Sequence, residues 1–397
     1  MEMAKVSIVK SNGEVSTLGE IREMVKKSID LLGGIGQFIK PGERVFIKPN
    51  ILLPKSPEFA VTTEPKVVQS VVHIVLNEGK ARKVIVGDIP RLKLWSREVM
   101  KETGIEAAAV EAGAEVRYID EEPQREVEIP GGVVMSKTLL PETVLSVDKI
   151  IYLPKLKTHY ITKMTGAVKS AHGLQVDQER EKFHREDLHH KLVDLLRAIR
   201  PHLCIVDAIT VMEGQGPAFG NPVRFDTIVS GPDPVAVDSV CASMIGFDPF
   251  EIPTIRIAHY DGLGQGDLKK IDIVGNSLEE VRKPVKRADV NIEGVHPKIE
   301  TFVGGTCVGC LTSSRGFIDS IIARGLIEKL EKVSVVTGLD IHFGHEPKGE
   351  MVFVLGDCAE KYRNKGIFIP GCIPFDSWTE AIKRVEEYVN QKGHRRG

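Results

Sequence analysis

The 397 residues carry 42% hydrophobic and 27% charged side chains, so a sizeable core can form, and the length predicts two or three domains. Lys+Arg 53 against Asp+Glu 55 leaves a net charge of -2, which excludes a bulk electrostatic nucleic-acid binder. No stretch approaches the ~18 consecutive apolar residues of a membrane span, and the opening MEMAKVSIVKSNGE does not read as a signal peptide, so a cytoplasmic protein is expected.

In chain order, short β-branched apolar runs predict strands at 5–9 (KVSIV), 44–48 (RVFIK), 83–88 (KVIVGD), 115–120 (EVRYID), 149–155 (KIIYLPK), 203–207 (LCIVD), 226–230 (DTIVS) and 270–275 (KIDIVG). Helical patterns lie between them. One covers 19–32, with Ile21, Val25, Ile29 and Leu32 on one face. Another covers 64–77, with Thr63 as N-cap, Pro65 in the first turn and Gly79 after the end. A third covers 186–199 and stops before Pro201. Strands alternating with helices predict an α/β fold with a largely parallel, doubly wound sheet. Residues 127–138, around Pro130-Gly131-Gly132, read as an inserted hairpin.

A smaller α/β unit is expected over 301–397, leaving 1–300 as the main domain. It opens on GGTCVGC, followed by a helix at 314–330, strands at 332–337, 351–357 and 366–370, and a helix at 377–389.

Open parallel sheets bind ligands beyond the carboxyl ends of their strands. Polar residues follow five strands in that position. Lys48 and Asn50 follow the second, Asp88 the third, and Asp207 and the loop MEGQGP with Glu213 the sixth. The longest such segment, PKLKTHYITKMTGAVKSAHG at 154–173, holds Lys155, Lys157, His159, Lys163, Lys169 and His172. Its 166–173 stretch could open a helix whose N–H groups attract an anion. Any single lysine there could equally be a solvated loop side chain. As a set they suit a phosphate or carboxylate, with Lys and His able to move protons. The candidate catalytic residues are Lys155, Lys157, His159, Lys169 and Glu213, and the candidate substrate-binding residues are Lys48, Asn50, Asp88, Thr165, Gly166 and Asp207. Asp233 and Asp238 read as helix caps, and His184, His189 and His190 as helix side chains outside the site.

Cys204 and Cys241 read as buried small hydrophobes. Cys307 and Cys310 form a CxxC pair ahead of a helix, Cys358 follows one strand and Cys372 another. If those strands are parallel neighbours, the four thiols meet at one sheet edge. Such a set holds an iron–sulfur cluster or zinc. Structural zinc sites favour two paired CxxC knuckles, so an iron–sulfur cluster, 4Fe–4S in type, is the expectation and zinc the alternative.

The segments KPN at 48–50, PKLKTHYITKMTGAVKSAHG, IVDAITVMEGQGP and DPVAVD resemble the "domain of unknown function 362" family of microbial proteins, over most of residues 5–275. The resemblance implies association with iron–sulfur clusters, although the close Cys repeat of an added ferredoxin module is absent. IPGCIP resembles the final cluster-ligand segment of hydrogenase small subunits and the related respiratory complex I subunit, with Ile373 where proline is usual. THYITKMTGAVKSAHG is also similar to a segment of lactate racemase-like enzymes that use a nickel-pincer nucleotide; the match is short and that cofactor is not carried over.

The leading expectation is an iron–sulfur protein of redox type, an oxidoreductase or electron carrier. It would pass electrons to or from a small anionic substrate or a redox protein such as ferredoxin. The alternative is a non-redox lyase, isomerase or racemase using Lys/His acid–base chemistry beside structural zinc. No GxGxxG fingerprint supports a dinucleotide, a homo-oligomer is left open, and Lys- and Glu-rich helices suggest a thermophile.

Overall fold

A computed structural model describes residues 3–90, 94–181, 187–372, 374 and 377–394, and divides the chain into two compact units, Met1–Ala288 and Asp289–Gly397. His184 and Ile373, singled out above, lie outside the described residues.

The strands of the first unit are β1 (Ala4–Lys10), β2 (Arg44–Pro49), β3 (Lys83–Val86), β4 (Glu115–Val116), β5 (Gln124–Glu128), β6 (Lys137–Pro141), β7 (Lys149–Leu153), β8 (Lys155–His159), β9 (Lys163–Thr165), β10 (Leu203–Glu213), β11 (Asn221–Gly231) and β12 (Ile271–Gly275). The main sheet runs β12-β1-β11-β10-β7-β2-β3-β4. Only β11 runs against its neighbours along this path, pairing antiparallel with β1 and β10. Alternation within the strands shows why the sheet is covered twice. Val45 and Ile47, Val84 and Val86, and Ile151 and Leu153 enter one core; Phe46, Ile85, Ile150 and Tyr152 enter the other. Helices Leu18–Asp30 and Pro65–Asn77 cover the first face, while Leu188–Ala198, Pro234–Met244 and Pro253–Tyr260 cover the second.

Several local expectations shift. Thr63 does not cap Pro65–Asn77; Glu64 does, because the Thr63 hydroxyl donates to Leu153 O at 2.7 Å and accepts from Asn50 N–H at 2.8 Å. The run 115–120 yields only the two-residue edge strand β4, after which Asp120 turns back to accept the Ser96 N–H. The hairpin is antiparallel β5–β6, with Asp194 accepting N–H groups of Val133, Val134 and Met135 in its turn.

The second unit carries β13 (Ile299–Gly304), β14 (Val333–Gly338), β15 (Met351–Leu355) and β16 (Ile367–Ile369), paired in that order and all parallel. Its first helix is Val308–Ala323 and not 314–330, so Cys307 is the N-cap and Cys310 sits in the first turn, and a second helix, Ser377–His394, follows the strands. Gly309 and the hydroxyl residues Thr312, Ser313 and Ser314 argue against a helix by propensity. Burial of Phe317, Ile318 and Ile321, further along the same helix, overrides that preference. The Phe317 ring meets Phe353 edge-on at 4.8 Å, fixing the helix on the sheet.

Candidate functional site

Pro154 separates β7 from β8, and β8 then runs along β10, with Asp207 opposite Lys155 and Met212 opposite Lys157. Residues two apart on a strand share a face, so Lys155, Lys157 and His159 project to one side. Lys155 and Lys157 are each 1% exposed, and Lys48 is 2%. Burying so many ammonium groups is costly unless each finds a counter-charge or gives up its proton.

Two of them find one. Lys155 Nζ donates to Asp207 Oδ2 at 2.9 Å, and the same carboxylate accepts the Glu64 N–H at 2.7 Å and the Ile209 N–H at 3.1 Å. Lys48 Nζ stands 2.6 Å from Asp88 Oδ1, an ion pair lying off the direction of a hydrogen bond, and donates to Pro49 O at 3.2 Å. Asp88 Oδ2 accepts the Ile51 N–H at 2.8 Å. Burial disfavours both charges of this pair, lowering Lys48 and raising Asp88, and their mutual attraction opposes it. Gly173 packs on the pair so closely that a Cβ there would lie 2.2 Å from Asp88 Oδ1 and 2.6 Å from Lys48 Nζ.

Lys157 and Lys169 find none. Lys157 Nζ donates to Val61 O at 2.6 Å and pairs with no carboxylate among the described residues. Burial, then Lys169 and Lys155, pushes its pKa well down. Lys169 keeps some solvent contact and has no hydrogen-bond or ion-pair partner among the described residues. Protein crowds it enough that desolvation, then Arg180 and Lys48, lowers it to about 8. In the unfolded chain that lysine holds its proton to about 10.5, so between these values the unfolded state binds more protons. Folding stability is therefore expected to rise with pH from about 8 towards 10.5, and this rise should vanish in Lys169→Met. Denaturant melts of both proteins at the two ends of that window check it; equal pH responses would remove Lys169 as the source.

The helix expected at 166–173 is a short 3-10 turn, Val168–Leu174, and does not present its N–H groups to an anion. Asp238 has taken them, accepting from Ala167 N–H at 2.6 Å and Val168 N–H at 2.9 Å. Asp238 is thus no cap. It lies within helix Pro234–Met244, buried, and burial pushes its carboxyl up to about 7 against the pull of those N–H groups. Gly166 permits the approach, since a Cβ there would stand 2.2 Å from Asp238 Oδ1. Gly166→Ala should force the segment bearing Lys169 off Asp238 and cost about 1–3 kcal/mol, the usual price of overpacking. A melting temperature unchanged from wild type would show that this contact is dispensable.

Other candidates lie apart from the lysines or are otherwise engaged. The His159 Nδ1 accepts the Ile161 N–H at 3.1 Å, so its local role is to hold the β8–β9 turn. Glu213 Oε2 accepts the Lys286 N–H at 2.8 Å and fastens the end of this unit. Asn50 and Thr165 stay with the lysines: Thr165 is directly opposite Lys157 in the β8–β9 pair. Among the described residues the buried Asn50 Oδ1, Thr165 Oγ1 and Thr62 Oγ1 have no hydrogen-bond partner. Sequence reasoning missed Arg180, Asp238 and Thr62. Arg180 donates to the His172, Ile89 and Pro90 carbonyls and adds a buried charge beside Asp88. A lone acid within the apolar PVAVDSVCASM was the signal available for Asp238; Arg180, in a charged run, had none.

In the second unit Cys307 and Cys310 open the helix after β13, Cys358 follows β15 and Cys372 follows β16, so all four stand at the carboxyl edge of one parallel sheet. All four are free thiols. Burial first, then Cys307, Cys372 and Cys358, raises Cys310 to about 12, so each of these sulfurs lies within electrostatic reach of it. Cys372 and Cys307 act likewise on Cys358. Gly356, at φ +89, leaves room for sulfur: a Cβ there would stand 3.1 Å from Cys310 Sγ. Among the described residues no three His, Cys, Asp or Glu side chains are already drawn together as a metal site. By donor type and placement the four thiols fit a thiolate-bound centre; holding one would require them to close inward. Cys204 and Cys241 are buried in the first unit.

No helix among the described residues is long and apolar enough to cross a membrane. The thylakoid-associated protein sll1697 of Synechocystis sp. is 30% identical over 257 residues, covering 62% of this chain and 76% of that protein. Among solved structures, the lactate racemase apoprotein of Thermoanaerobacterium thermosaccharolyticum is similar with TM-score 0.40 and 10% identity, over 85% of this chain and 69% of that one. A Thermotoga maritima protein is similar with TM-score 0.32 and 11% identity, over 57% of each chain. The model of the family described as "Domain of unknown function (DUF362)" matches residues 45–243, and the chain belongs to that family.

Proposed function

We propose that this is an iron–sulfur protein of redox type, which passes electrons to or from an anionic small molecule or a protein partner such as a ferredoxin. Cys307, Cys310, Cys358 and Cys372 would hold the cluster, 4Fe–4S in type, and the lysine-lined site of the larger unit would hold the anion. The observation that carries the reading is the placement of four thiols, from three separate chain segments, at one edge of a parallel sheet. An all-sulfur donor set suits iron–sulfur chemistry. Protein made and purified without oxygen should be brown, with about four irons and four sulfides per chain. Colourless protein containing only zinc would sink the redox reading.

The zinc outcome belongs to a second reading, a non-redox enzyme with a structural metal. What favours it is the depressed pKa of the unpaired Lys169, about 8, which suits a lysine that moves protons near neutral pH.

A further inference from the structure

We infer that the larger unit binds a small oxyanion with at least two negative charges and a hydroxyl group, seated against Lys157 and Lys169. The inference rests on the anion-binding half of the reading above and is independent of the metal.

The charge requirement comes from counting. Lys48, Lys155, Lys157, Lys169 and Arg180 influence one another's charge at close range. Three carboxylates stand among them: Asp88 is paired with Lys48, Asp207 with Lys155, and Glu64 lies within electrostatic reach of Lys155 and Asp207. Arg180 also feels Asp177 and Asp120 and is held by three carbonyls. Lys157 and Lys169 feel Asp88 only at a distance, and among the described residues neither is paired with a carboxylate. A buried cation in that state persists only where something outside the chain compensates it, or where it sheds its proton. A ligand with one charge answers one lysine; the pair calls for two.

The hydroxyl requirement comes from the unpartnered oxygens. Thr62 is fully buried and Thr165 is 6% exposed, and among the described residues neither hydroxyl has a partner. Thr165 faces Lys157 across the β8–β9 pair, and Thr62 follows Val61, whose carbonyl accepts the hydrogen bond that Lys157 donates. Thr63 joins Asn50 to the same turn through two hydrogen bonds. The Asn50 Oδ1 is different in kind, because an amide oxygen can only accept. Among the described residues no group donates to it. An anion made of acceptors alone would leave it unanswered, whereas a ligand hydroxyl supplies the donor, and the two threonine hydroxyls donate to the charged oxygens. A phosphate monoester and a hydroxy-dicarboxylate share this chemistry.

The test is calorimetric titration of the full chain, prepared both without iron and after anaerobic loading, with lactate, succinate, malate and glycerol 3-phosphate. Malate or glycerol 3-phosphate should bind at least tenfold more tightly than lactate, which lacks the second charge, and than succinate, which lacks the hydroxyl. Whichever of the two binds more tightly identifies the source as dicarboxylate or phosphate ester. Lys169→Met and Lys157→Met should each weaken that binding at least tenfold, and Lys169→Met should do so without lowering the melting temperature of the free protein, since among the described residues Lys169 has no hydrogen bond or ion pair to lose. A residue with a purely structural role would lower the melting temperature instead. Equal affinity for all four anions, or unchanged affinity in both variants, overturns the inference. Loss of iron without loss of anion binding would count against the cluster alone.

Discussion

On the proposed iron–sulfur reading, Cys310→Ser should leave the protein without bound iron. Cys310 is 1% exposed, lies in the first turn of helix Val308–Ala323 and feels the charge of all three other thiols. Serine preserves the size of the side chain but replaces a soft sulfur by a hard, weakly acidic oxygen, which is a poor ligand for iron–sulfur clusters. Iron and sulfide per chain should fall at least tenfold, and the visible absorption should go with them. Cys241→Ser supplies the contrast. Cys241 is also free and fully buried, but in the larger unit, inside helix Pro234–Met244. Its replacement should cost about 1–3 kcal/mol by burying a hydroxyl in a site shaped for sulfur, while the iron content stays at the wild-type level. Full iron retention in Cys310→Ser would falsify the assignment of this thiol as a ligand.

Asp207→Asn should be the most destabilising single change in the larger unit. The Lys155–Asp207 pair is 1% and 0% exposed. The carboxylate also holds two N–H groups, which an amide oxygen can only partly replace. Asparagine would leave the Lys155 ammonium buried among Lys157, Lys169 and Lys48 with its counter-charge gone. Removing one partner of a buried pair typically costs about 3–5 kcal/mol, while replacing both by apolar groups costs far less. The double variant Asp207→Asn/Lys155→Met should therefore recover much of the loss. Urea denaturation of the three proteins measures this directly. A double variant no more stable than Asp207→Asn would mean that hydrogen bonding, and not charge, is what the carboxylate supplies.

The sequence by itself determined the parts of this protein that depend on local repetition. Runs such as RVFIK and KVIV bury both faces because β-branched residues alternate into two cores, so a largely parallel sheet was legible before any coordinates. The strand-end rule likewise located Lys48, Asp88, Lys155 and Asp207, and the Cys spacing located the four thiols. What only tertiary structure decided is which charge answers which. Lys155 and Lys157 are two residues apart on one strand and read alike in the chain. Asp207 of β10 pairs with the first, while among the described residues no carboxylate pairs with the second, a difference set by strand register across more than fifty residues. Asp238 looks like a helix cap beside Asp233, and only the packing of its helix against 166–168 turns it into the acceptor that holds the Lys169 segment. Propensity and periodicity are summed over neighbours along the chain, whereas electrostatic compensation is summed over neighbours in space; where the two sets differ, as they do around these lysines, the fold has the deciding word.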